Sequence, residues 1–156
     1  MPGVTRLGNE RWNVRGSVGY VDIKRSGDKY HFDYNFVSGY QPSPLLLAAS
    51  RATKDDAMAK EWGVTKDQAK IIRAEFDSNP SFDLTAGETS TLSAIWERYL
   101  AAADVSARGA ASKDMQQKID EIVKAKLDRA NEALQRNERK IREILSPESL
   151  DKMVKK

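Results

Sequence analysis

The chain has 156 residues, 40% of them hydrophobic and 31% charged, with a formal net charge of +3 at pH 7. That is enough apolar material for one compact domain with an appendage, and too little positive excess to make nucleic-acid binding the default reading. There are no cysteines, which removes disulfides, thiolate zinc sites and thiol nucleophiles together and fits a reducing cytoplasmic or otherwise intracellular setting.

No run of about 18 apolar residues occurs, so no membrane span is expected. Met1-Pro2-Gly3 leads into polar residues rather than an apolar segment, so no secretory leader is expected either.

In chain order, residues 12–38 read as a β-hairpin. "KYHFDYNFV" alternates, with Tyr30, Phe32, Tyr34 and Phe36 on one face and His31, Asp33 and Asn35 on the other. "VGYVDIKR" precedes it across Ser26-Gly27-Asp28, a turn sequence. Trp12, Val14, Val18 and Tyr20 share one parity while Val21 and Ile23 take the other. A bulge near Gly16 and Gly19 would account for the slip. With Ser26 and Gly27 as the loop residues, Asp22 would face His31, the only histidine. No nucleophile or ligand cluster accompanies that histidine, and no Gly-rich phosphate loop occurs. No catalytic residue, metal site, cofactor or small-molecule substrate is therefore expected, and the chain reads as a non-enzyme.

Pro42 and Pro44 end the sheet, and Ser43 caps a short helix "PLLLAASR" that Pro44 opens. Thr53 is expected to cap the next helix, through Trp62. Thr65 and Gln68 form a capping box for a third helix ending near Ser78, before Asn79-Pro80. Thr85 and Glu88 form another, opening a helix whose stripe is Leu92, Ile95, Trp96, Tyr99, Leu100 and Ala103. Residues 105–112 read as a joint of small residues. One long helix follows from Lys113 to Leu145, closed by Ser146-Pro147, which also begin a short terminal helix.

All twelve aromatic residues lie between Trp12 and Tyr99. Aromatics dominate core energetics, so the packed head is expected at residues 1–104 and a coiled-coil-like appendage at 113–156. The fold class is α+β, mostly α: an N-terminal β-hairpin packed on short helices, then a long C-terminal helix.

Two stretches carry functional expectations. In "MAKEWGVTKDQAKII" (58–72), Gly63 is placed as a turn glycine, with Met58, Trp62, Val64, Ala69 and Ile72 apolar where two helices must join and Ala59 small where they touch. The stretch resembles the helix-turn-helix superfamily. The resemblance implies that helix 65–77 enters a DNA major groove, with Thr65, Lys66, Lys70 and Arg73 as the contacting residues. Against it, residues 54–77 carry five bases and six acids, and phosphate neutralisation supplies essentially all non-specific DNA affinity.

The second stretch is the long helix. Val123, Leu127, Ala130, Leu134, Asn137, Ile141 and Ile144 advance in alternating steps of four and three, the heptad seam, with Asn137 placed to fix register. Roughly 33 residues at 1.5 Å each span about 50 Å, longer than a compact head of this size is wide. Part of the seam is therefore expected to need a partner. The leading expectation is a non-catalytic protein-binding or assembly protein that oligomerises or docks on a larger partner. Val123, Leu127, Leu134, Asn137, Ile141 and Ile144 would make the contact, flanked by Arg136, Arg139, Lys140 and Arg142. The alternative is a dimeric helix-turn-helix DNA-binding regulator.

Overall fold

The computed structural model describes residues 3–155. Its residues are 59% helical and 18% strand, in the expected α+β, mostly α class. The chain divides into two compact units, one of Met1–Gly39 with Phe82–Asp128 and the other of Tyr40–Ser81 with Arg129–Lys156. This is not a division at residue 104. The segment that joins the sheet to its helices belongs to the second unit, together with the C-terminal part of the chain.

In the first unit the sheet has four strands rather than two. They are β1 (Gly3–Gly8), β2 (Arg11–Arg15), β3 (Gly19–Ser26) and β4 (Lys29–Phe36), antiparallel in that order. The parity slip is a turn, not a bulge. Arg15 pairs with Tyr20, Val14 with Val21 and Trp12 with Ile23, so reversal at Gly16–Val18 brings both parities to one face. The next turn is Gly27-Asp28, because Ser26 pairs with Lys29 and Gly27 has φ +65°. Moving the turn one residue on from Ser26-Gly27 shifts each cross-strand partner by two: His31 faces Lys24, and Asp22 faces Asp33.

The inner face of the sheet packs on α4 (Ala86–Ala101) and the first part of α5 (Val105–Ile144). Val14, Val21, Ile23, Phe32, Leu92, Trp96, Met115, Ile119 and Val123 are all buried there. Trp96 stacks on Tyr99 at 4.9 Å between ring centroids and meets Trp12 edge-on at 5.3 Å. Of the expected α4 stripe, Leu100 is exposed and Ala103 lies beyond the helix end. The expected joint at 105–112 is helical: Asp104 Oδ1 accepts the Ala107 N–H at 2.7 Å, and α5 begins at Val105. Three alanines in this stretch favour the helix enough to carry Gly109.

The second unit contains α1 (Pro44–Ala52), α2 (Asp56–Glu61), α3 (Lys66–Asp77), the end of α5 and α6 (Pro147–Val154). Ser43 and Ser146 cap α1 and α6, each followed by its proline. Thr53 does not cap α2. Its hydroxyl donates to the Ser50 carbonyl at 2.7 Å, closing α1, and Asp55 accepts the Met58 N–H to open α2 instead. Leu45, Leu46, Ala49, Ala52, Ile72, Ile141, Leu145 and Met153 form this unit's core.

Candidate nucleic-acid interface

The corner between α2 and α3 is built from backbone first. Gly63 N–H donates to the Lys60 carbonyl at 3.1 Å, and Val64 N–H reaches back to the Ala59 carbonyl at 2.8 Å. Those two bonds make a Schellman ending, with Gly63 in the left-handed region at φ +74°. Two residues later Thr65 caps α3: its Oγ1 accepts the Gln68 N–H at 3.1 Å while Gln68 Oε1 accepts the Thr65 N–H at 2.9 Å. Gln68 Nε2 also donates to the Ile144 carbonyl at 3.3 Å, fastening the start of α3 to the end of α5.

This packing fixes which face of α3 is free. Ile72 is fully buried, Val64 and Ala59 are buried, and Ala69 and Trp62 pack against the same core. Thr65, Lys66, Lys70 and Arg73 are exposed. Lys66, Lys70 and Arg73 stand at i, i+4 and i+7, one stripe of a helix. Among the described residues, none of these three cations makes an ion pair.

Beside the stripe runs a cleft of about 670 Å³, lined by α2, α3 and the end of α1. Ala52, Ala59, Val64 and Ala69 form its apolar part; Lys60, Lys66, Lys70 and Arg73 stand around it with Asp56. Sequence reasoning missed Lys60 and the cleft. No spacing in the sequence signals the cleft, because it depends on how α2 meets α3.

The long-helix seam is sheltered by the chain itself. Val123 is 1% exposed and Leu127 8%, both within the first unit; Asn137 is 1% and Ile141 0%, within the second. Leu134 and Ile144 are half-buried against the second unit's core. The helix is longer than one head is wide, but α5 serves one core up to Asp128 and another from Arg129. The flanking cations differ. Arg136, Arg139, Lys140 and Arg142 are exposed. Arg142 pairs with Glu138 at 3.3 Å, and the other three have no ion pair among the described residues.

A further set of titratable groups lies in the first unit. Lys126, 6% exposed, donates to Glu88 Oε1 at 2.9 Å and to the Asp83 carbonyl at 3.1 Å, and its ammonium lies 5.8 Å from the Tyr34 ring centroid. Tyr34 donates its hydroxyl to the Phe82 carbonyl. Burial pushes the Glu88 carboxyl up, but the Thr85 N–H and the Lys126 ammonium outweigh it and hold the group below its ordinary value. Burial raises the Tyr34 phenol, and the Asp83 and Glu88 carboxylates add to the rise. These bonds tie the segment before α4 to α5. His31, with its side chain 69% exposed, lies 3.2 Å from Asp33 on the outer face of the sheet.

Among the described residues no helix is long and apolar enough to cross a membrane, and no group of three or more His, Asp or Glu side chains is placed to hold a metal ion. Compared with protein-family models, curated proteins and solved structures, the chain matches none.

Proposed function

We propose that the chain binds double-stranded DNA through its second unit, with α3 presented to the major groove by the α2–α3 corner. The observation that carries this reading is the stripe Lys66, Lys70 and Arg73, exposed and without ion pairs among the described residues, on a helix whose opposite face is held by Ile72. The acids that weigh against it in a plain count are not equivalent. Asp55 is engaged in capping α2, and Asp67 sits in the first turn of α3, where the helix dipole favours a carboxylate. Asp56 stays in the cleft as the opposing charge.

Three phosphate-neutralising side chains release about three counterions, so log affinity should fall with log salt at a slope near −2.7. Fluorescence anisotropy on a labelled duplex across a salt series measures it. Changing Lys66, Lys70 and Arg73 together to Ala should abolish binding while leaving the unfolding curve in place. A chain that binds no duplex at low salt, or a triple variant that binds unchanged, removes the reading.

A protein-docking role is the second reading, now carried by Arg136, Arg139 and Lys140 rather than by the apolar seam. These three cations share one exposed face of α5 and suit an acidic protein surface. Light scattering gives the mass of the chain in solution. Reversing the three charges should lower capture of a partner from the native extract, and unchanged capture would discard this surface.

A further inference from the structure

The cleft beside α3 has a composition that duplex DNA does not use. A sugar–phosphate backbone can meet the lysines at its edge, but it is polar and convex and would leave the apolar floor of Ala59, Val64 and Ala69 unfilled. Lys60 comes from α2, and Lys66, Lys70 and Arg73 from α3; against Asp56 alone, four cations and one carboxylate leave +3 around the cleft. None of the four cations makes an ion pair among the described residues. A volume of about 670 Å³ lies within the range of small-ligand sites, which combine an apolar lining with a few convergent polar groups.

We propose that this cleft binds a small amphipathic anion, a carboxylate or sulfonate on a short apolar body, and that the bound anion displaces DNA by taking the same cations. The apolar body lies on Ala59, Val64 and Ala69, and the anionic head meets Lys70 and Arg73. The displacement step rests on the DNA reading above; the binding step does not.

The probe is sodium octanoate, titrated calorimetrically into the full chain without DNA. Acetate supplies the charge without the body, and octanol the body without the charge. Saturable binding of octanoate is expected, with both controls weaker by roughly tenfold or more, since each lacks one of the two contributions. The double change Lys70→Glu and Arg73→Glu, at exposed positions that leave the core intact, should weaken octanoate by roughly tenfold or more. Ala69→Leu should block the floor; if that variant unfolds, the charge-reversed pair still decides. Absence of saturable octanoate binding, or equal binding by the charge-reversed variant, overturns the proposal. Octanoate that binds without displacing a bound duplex overturns the displacement step. A chain that takes octanoate but no duplex supports the site and removes the DNA reading alone.

Discussion

Asp120 and Val18, 102 residues apart in sequence, are joined by a 2.8 Å hydrogen bond from the Val18 N–H to Asp120 Oδ1. Oδ2 accepts the neighbouring Ser17 N–H at 3.0 Å. One carboxylate on α5 thus satisfies the backbone of the turn between β2 and β3. The close approach requires Gly16, where an added Cβ would fall 2.3 Å from Asp120 Oδ1. Asp120→Ala should destabilise the chain by roughly 1.5–3 kcal/mol, the range for hydrogen bonds to a charged group. Gly16→Ala should destabilise it too, but less once Asp120 has been removed, because the clash then disappears. Denaturant unfolding of the two single variants and the double one measures this coupling, and strict additivity would contradict it.

The Lys126–Glu88 tie predicts an asymmetry. Lys126 is 6% exposed, and its carboxylate partner is partly exposed. Glu88→Gln leaves a buried ammonium facing a neutral amide, and should destabilise by about 2–4 kcal/mol. Lys126→Met keeps most of the volume and leaves a carboxylate that water can reach, so its effect should be smaller. Thermal unfolding of both variants side by side tests the order.

The same tie sets a pH dependence. Folding holds the Glu88 carboxyl below its ordinary value of 4.5. Its contribution is therefore complete above about pH 4.5 and is lost as pH falls through the lower folded value. Tyr34 is raised above its ordinary 10.0, so the neutral phenol stabilises the fold below pH 10 and that contribution is lost as pH rises through the folded value. Unfolding free energy measured in Glu88→Gln should lose part of the acid-side slope, and Tyr34→Phe part of the alkaline one.

Gly63 has φ +74°, and a Cβ there would lie 3.2 Å from Ser149 Oγ. Gly63→Ala should destabilise by about 1–2 kcal/mol and Gly63→Val by more, whereas Asn, which tolerates the left-handed region, should be milder. If the DNA reading holds, duplex affinity should follow the same order, because the turn sets the angle of α3.

Local chemistry was legible where neighbours in sequence are neighbours in space. The boxes Thr65/Gln68 and Thr85/Glu88, the cap Ser43 before Pro44, and the alternation of Tyr30 to Phe36 all form as their spacing implies. What sequence did not reveal was set by distant partners. Asp120, 102 residues from Val18 in sequence, holds the Gly16–Val18 turn, so a break between two strands read as a bulge within one. Thr53 and Asp55 are both good caps, and only the use of Thr53's hydroxyl by α1 decides between them. The heptad period of α5 shows that one face is buried but not what covers it. The exposed stripe of α3 could be placed from the turn glycine, but the cleft beside it depends on how α2 meets α3.

Asn137 tests what covers the second half of that face. It is 1% exposed, and its Oδ1 has no hydrogen-bond partner among the described residues. An unsatisfied buried carbonyl opposes folding by about 1–3 kcal/mol, so Asn137→Leu should raise stability by roughly 1 kcal/mol if the added volume can be accommodated. On a seam shared between chains, such an amide would find its counterpart in a second copy, and its loss would change oligomeric state. Within a single core it should change only the unfolding midpoint. Ile141, 0% exposed in the same core, supplies the complement: Ile141→Glu should unfold the second unit by more than about 4 kcal/mol, as expected for an unpaired buried charge. Both effects should be independent of protein concentration. A midpoint that rises with concentration, or an Ile141→Glu chain that stays folded while its mass in solution falls, would return the seam to an interface between chains.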